Sequence, residues 1–522
     1  MSLSDENTDE NSGSAEKDST DIAKGARVNF FGFIIRLGSR LPFLIFAVAL
    51  FGVELYGRYN YTITTIEICA AFATFGFKRS LFKFIHDGEY SDKYSIEQVM
   101  VSALLCSILI GVIFTLIVIT SAELLATLFD YPQMVAGLKT LAPMIMIITA
   151  LDVILAGTRA TRKMRYEVVS RSIVEPYILL LAMFIFYYSG FDTYGLLMAY
   201  SVALIAALVY AIWGFCHLYS FKKAVKARPS LLLMKRLLNF SGPTAFHDLA
   251  LLIFMRMDIF TVKFFFSEAI LGVYNIAQQF ATSVEKIYQS FYPILSPVMA
   301  KNLVNQDFKT VEQQMVMVSR WILMIQCLLV VWSGFYGEAV IAAVAPENTE
   351  YSIIVAGGII LLFLMIGETI NGGFGIADLP IIYRSPLFNP LISCLMIPLY
   401  VALAYIFTQM LNVGAVGVAA ALCSTYFIMN FVRVLTVLKL FSINLLKFRI
   451  FKVIFAATIS AALFKAVIMF SPIELINGWG MAVGIPILLI IYLTCILSLA
   501  MEKTDIKKLK QKLGVKTRFK NV

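Results

Sequence analysis

Fourteen stretches of this chain are apolar over lengths that reach, or nearly reach, the roughly 20 residues a helix needs to cross the core of a bilayer. They lie near 28–53, 61–84, 97–120, 138–157, 168–188, 194–217, 237–265, 270–298, 316–336, 351–374, 387–408, 413–437, 449–470 and 479–500. This restricts the architecture before anything else does. Lipid offers no partner to a backbone N–H or C=O, so segments of this length must satisfy their own backbone as helices. Composition agrees, because 60% of the 522 residues are hydrophobic and 15% charged, outside the soluble globular range. The expected fold is all-α, a polytopic integral membrane protein with about 14 transmembrane helices.

The ends are polar. Residues 1–26 (SDENTDENSGSAEKDSTD at their centre) read as a disordered acidic tail, with no cleavable signal peptide apparent. Residues 501–522 are basic. The seven cysteines stand singly within apolar segments without CxxC spacing, which suggests neither a disulfide framework nor a zinc site. His86, His217 and His247 are too scattered to suggest a metal centre. No GxxxxGK[ST] motif is present, and GGFG at 372–375 lies in an apolar segment, so neither ATP nor any other cofactor is expected.

Basic residues set the orientation. Connections after even-numbered segments carry them in quantity, as with Arg159, Arg162, Lys163 and Arg165, or Lys222, Lys223, Lys226 and Arg228. Connections after odd-numbered segments hold little beyond Arg58, Lys139 and Lys263. The basic side faces the cytoplasm in such proteins, so both termini are expected there. The net charge of +10 then reports topology and attraction to anionic membrane lipids, not a nucleic-acid partner.

The segments also repeat. YGRYN at 56–60 and LGVYN at 271–275 each lie where an odd segment hands over to an even one, 215 residues apart. The same shift carries segments one to five onto seven to eleven, and six onto twelve with some drift. Two like-oriented bundles are a common transporter plan. The expected organisation is a tail at 1–26, a six-helix bundle at 27–220, a basic linker at 221–236, and a second six-helix bundle at 237–440. Two additional transmembrane helices at 441–500 and the basic cytoplasmic tail complete it.

Charges within such segments are costly and normally face a cavity or a partner. The seventh segment contains FMRMDIFTVKFF, with Arg256, Asp258 and Lys263. Arg256 and Asp258 point about 200° apart on a helix, whereas Arg256 and Lys263 share a face. Segment one offers Arg36 and Arg40 at i,i+4 spacing on one face. Segment eight carries a polar stripe of Gln278, Thr282, Glu285 and Gln289, widened by Asn275, Gln279 and Lys286. Segment two adds Glu67. One reading is a polar cavity lined by segments one, two, seven and eight. The plainer readings are snorkelling for Arg36 and Lys263, an inter-helix ion pair for Arg256 or Asp258, a local pair for Glu285 with Lys286, and an inner-face lock between Asp152 and Arg159.

Three stretches carry a family resemblance: VALFGVELYGRYNYTI (48–63), RMDIFTVKFFFSEAILGVYNIAQQF (256–280) and FYPILSPVMAKNL (291–303). With the 6 + 6 + 2 plan, they resemble the polysaccharide transporter (Wzx-type) flippases of the multidrug/oligosaccharidyl-lipid/polysaccharide superfamily, which is MATE-like. The resemblance implies a monomer in the bacterial inner membrane that flips an undecaprenyl-diphosphate-linked glycan. It implies cavity arginines at Arg36, Arg40 and Arg256, with sugar contacts from Asn275, Gln278, Gln279, Thr282 and Gln289. Glu67, Asp258, Glu285 and Lys286 are then cavity groups or candidates for coupling to H+ or Na+.

Three other functions compete. A cation-coupled drug exporter wants an acid-dominated cavity, against which Arg40 and Arg256 argue. A glycan polymerase or ligase wants a sizeable outer loop carrying catalytic groups, and the outer connections here are short. A lipid II flippase differs only in substrate.

Overall fold

The computed structural model describes residues 35–502 apart from 36–37, 78–80, 82–83, 86–92, 129–131, 133, 161–164, 192, 220–222, 224–225, 346–348, 386, 472–473 and 477. Among them there is helix and no strand. In chain order the helices are α1 (Gly38–Phe51), α2 (Val53–Thr74), α3 (Ile96–Leu128), α4 (Met134–Leu141), α5 (Met144–Ala160), α6 (Arg165–Tyr188), α7 (Gly195–Leu218) and α8 (Leu231–Phe265). They continue as α9 (Glu268–Val304), α10 (Phe308–Val344), α11 (Tyr351–Phe374), α12 (Asp378–Arg384), α13 (Phe388–Met410), α14 (Ala415–Phe441), α15 (Phe448–Phe470) and α16 (Gly478–Ala500). The protein is a polytopic all-α membrane protein.

Two boundaries differ from the expectation. The second helix starts at Val53, ahead of the expected 61, because the chain turns at Gly52 alone. Its φ of +85° suits a residue without a Cβ. The polar letters of YGRYN look like a loop, but Tyr56 and Tyr59 are buried and the stretch is helical. The fourth segment is bent by 43° between α4 and α5. Pro143 stands in the break and has no N–H to continue the helix. The Thr115 hydroxyl donates to the Ala142 carbonyl there at 3.1 Å.

Among the described residues, nine helices are long and apolar enough to cross a membrane, ten if α4 and α5 form one span. Apolarity alone therefore does not reach fourteen. Of α1 only a 38–51 portion falls within the described residues, and α2, α8 and α9 are long but interrupted by polar side chains. Those four helices carry nearly all the candidate site residues.

Packing centres on α2, α9 and α11. Helix α2 contacts α3 and α5 on one side and α8 and α9 on the other. Helix α9 packs on α10 and α11, and α11 on α14. The final pair, α15 and α16, packs on α10 and on each other.

Candidate functional site

The two repeated motifs meet. Gly57 of YGRYN and Gly272 of LGVYN sit where α2 crosses α9. A Cβ on Gly272 would lie 2.6 Å from the Val53 carbonyl oxygen, and one on Gly57 would lie 3.3 Å from the Gly272 nitrogen. Small residues let the two backbones approach this closely, and at Gly272 there is no room for a Cβ. The far end of α2 is held as well, since a Cβ on Gly76 would lie 2.8 Å from the Ser241 oxygen and from the Ala245 nitrogen of α8. The side-chain amide nitrogens of Asn60 and Asn275, the last residues of the two motifs, are both buried without an acceptor.

An ion cluster flanks the glycine crossing. Arg58 Nε donates to Glu268 Oε2 at 2.8 Å, from α2 to α9. Lys263 Nζ lies 3.8 Å from the other oxygen of Glu268. Its side chain is only 8% exposed, so Lys263 points to this partner instead of snorkelling.

Arg256 reaches across the same seam from two turns deeper along α8. Its Nη2 lies 3.4 Å from Glu67 Oε2 on α2. A charge-assisted N–H···O bond normally measures about 2.7–2.9 Å, so the contact is loose. The two side chains are 30% and 36% exposed, open to an exchange of partners. Glu67 lies nine residues beyond Arg58 on α2, roughly 13 Å along the helix at 1.5 Å per residue.

Asp258 has a different environment. It is fully buried. One carboxylate oxygen accepts from the Ile259 N–H at 2.9 Å; the other accepts from the Tyr274 hydroxyl at 3.0 Å and the Gln278 amide at 2.9 Å. Asp258 and Gln278 thus tie α8 to α9. The α9 stripe divides here. Farther along, the Gln289 amide donates to Glu285, Lys286 Nζ donates to Gln289 Oε1 at 2.6 Å, and Lys286 lies 3.8 Å from Glu285. Thr282 turns its hydroxyl back to the Gln279 carbonyl at 2.8 Å. Arg40 on α1 is half-buried. Arg36 lies outside the described residues.

The structure thus brings Glu67 and Arg256 together, groups Asp258 with Gln278, and groups Glu285, Lys286 and Gln289. It also shows polar groups that periodicity does not single out. Asp152 pairs with Arg171 at 2.5 Å, and Arg171 also holds Glu175 at 2.8 Å, while the side chain of Arg159 lies outside the described residues. Arg171 lies on the next helix, where charge spacing within one segment gives no hint of it. Buried Arg320 of α10 meets Glu502 at 3.0 Å, and Arg449 meets the same oxygen at 3.2 Å. Gln326 of α10 is fully buried and donates to the Val284 carbonyl of α9 at 2.8 Å. Among the described residues, no three His, Cys, Asp or Glu side chains gather as a metal site.

A family model described as polysaccharide biosynthesis protein matches residues 24–303, more than half of the chain. The chain belongs to the polysaccharide biosynthesis protein family. No individually described protein matches it in sequence. Solved structures show the fold. The lipid II flippase MurJ in an inward closed conformation superposes with a TM-score of 0.65 at 16% identity, covering 94% of this chain and 99% of its own. An inward-facing multidrug resistance MATE family transporter of the MOP superfamily gives 0.64 at 15% identity, covering 78% and 98%. An outward-facing transporter of that family gives 0.59 at 16% identity, covering 82% and 97%. This member of the polysaccharide biosynthesis family thus shares the fold of those proteins.

Proposed function

We propose that the protein is a flippase of the bacterial inner membrane. It moves an undecaprenyl-diphosphate-linked oligosaccharide from the cytoplasmic to the periplasmic leaflet for surface polysaccharide assembly. The carrying observation is Arg256, a half-buried cation on the seam held only loosely, at 3.4 Å, by Glu67. A diphosphate offers a planar guanidinium better acceptors than that carboxylate does. Arg40 adds positive charge on α1, and Arg36 precedes it by four residues in the sequence. The buried amide of Asn275, without an acceptor, supplies a donor for a sugar hydroxyl.

The mechanism is alternating access between two six-helix bundles, 27–220 and 237–440, with α15 and α16 as additions to the second. On this reading the interrupted helices are also spans, which makes fourteen crossings, with the basic connections and both termini in the cytoplasm by the basic-residue bias. The Gly57–Gly272 crossing then lies at the periplasmic end and is shut. Substrate enters from the cytoplasmic side, its diphosphate displaces Glu67 from Arg256, and the released carboxylate becomes able to take up a coupling H+ or Na+. Asp258 and Glu285 are further coupling candidates. The protein works as a monomer and is not an enzyme.

Deleting the gene and profiling membrane lipids by mass spectrometry tests this reading. A completed lipid-linked repeat unit should accumulate while the surface polymer disappears, and Arg256→Ala should reproduce that result at normal protein level. An unchanged glycan profile with new sensitivity to cationic drugs would replace it with the exporter reading. Accumulation of lipid II would replace it with the peptidoglycan one.

A further inference from the structure

Two side-chain amides at the glycine crossing lack an acceptor, one from each repeat. Asn60 lies one turn past Gly57 on α2 and Asn275 one turn past Gly272 on α9, 215 residues apart. Helix α8 runs antiparallel to α2, since Glu67 meets Arg256 while Gly76, farther on, meets Ser241 and Ala245. Helix α9 doubles back from α8, as the bonds from Asp258 to Tyr274 and Gln278 require. Helices α2 and α9 therefore run the same way, and both amides follow the crossing in the same direction. Asn275 is 2% exposed, and neither amide nitrogen has an acceptor. The Tyr56 hydroxyl comes near Asn60 but out of line for a hydrogen bond. Val53 and Tyr56 before Asn60, and Val273 and Ile276 beside Asn275, belong to one buried apolar cluster. An amide placed there has given up its bonds to water and gained none in return.

We propose that these two amides keep the seam openable: they oppose its shut state and gain acceptors from water when α2 and α9 part. An N–H group that is unmet in one state and solvated in the other shifts the balance towards the solvated state by its desolvation penalty. The close approach of Gly57 to Gly272 and the bond from Arg58 to Glu268 act the other way and hold the two helices together. The crossing is set between these opposed terms, so the shut state is held without becoming a trap. Because asparagine recurs at matching places in the two stretches, each bundle brings one such group to the crossing. The inference rests on the alternating-access reading, but not on the identity of the substrate or on the role given to Arg256.

Hydrogen exchange of the full-length protein in lipid nanodiscs, read by mass spectrometry over residues 53–66 of α2, tests this, because exchange through local opening follows the open fraction. Leucine has much the shape of asparagine without the N–H, which makes it the informative replacement. Asn60→Leu combined with Asn275→Leu should slow exchange of that stretch at least about tenfold, well within what two unmet donors shift. Each single variant should give part of the effect, which keeps the test intact if the pair fails to fold. Exchange that is measurable in the native protein and that the leucines leave unchanged or speed up would overturn the inference while leaving alternating access standing. A native α2 that exchanges only through global unfolding would overturn alternating access itself, and the inference with it.

Discussion

Gly57 and Gly272, 215 residues apart, touch where α2 crosses α9, so the glycines of the similar stretches YGRYN and LGVYN form one contact. The contact is asymmetric in its tolerance. A methyl group on Gly272 would meet the Val53 side chain and carbonyl at under 3 Å, whereas one on Gly57 meets backbone at 3.3 Å. Gly272→Ala should therefore destabilise the protein by about 1–3 kcal/mol, the usual range for overpacking, and Gly57→Ala by clearly less. Thermal denaturation of the purified variants checks this, and equal melting temperatures would refute the asymmetry.

Arg256 should separate stability from function. An ion pair about one-third exposed adds at most roughly 1 kcal/mol, so Arg256→Ala should melt within a few degrees of the native protein. Its glycan export should nevertheless collapse, and Arg256→Lys, which keeps charge without the fork, should recover only part. A large drop in melting temperature would instead mark the residue as a structural brace.

Asp258 should behave in the opposite way. Its carboxylate accepts three hydrogen bonds in a fully buried place. Asp258→Asn turns one acceptor into a donor facing other donors and should cost about 1–3 kcal/mol. Comparing its melting temperature with its export per folded molecule decides the matter. Export lost without any loss of stability would instead favour the coupling role for which Asp258 is a candidate over the bracing one.

Removing Arg171 should be among the most damaging single changes in residues 27–220. It takes a shared guanidinium from Asp152 and Glu175, 10% and 12% exposed, and breaking a buried pair typically costs about 3–5 kcal/mol. Arg171→Met should express poorly. Adding Asp152→Asn and Glu175→Gln should restore much of the yield in membrane fractions, because the stranded charges are gone.

Hydropathy and length made most of the helices legible, because lipid demands the same response from every long apolar run. Boundaries were less so where polar letters hide a buried turn, as at YGRYN, or where one proline bends a span, as at Pro143. The charged residues were legible as exceptions but not in their pairing. Helical periodicity says that Arg256 and Asp258 face apart; it cannot say that one finds Glu67 on α2 and the other Tyr274 on α9. Asp152 shows the same limit, since spacing within its own segment gives no sign of Arg171 on the neighbouring helix.

Helix α2 is gripped by α9 at Gly57 and by α8 at Gly76, just past its C-terminal end, with Glu67 between the grips. A rod held so closely at two points can neither slide nor roll past its neighbours without turning a side chain into a space that a Cβ already overfills. While both holds last, α2 is a fixed rail, and an exchange of partners between Glu67 and Arg256 falls to the two side chains themselves.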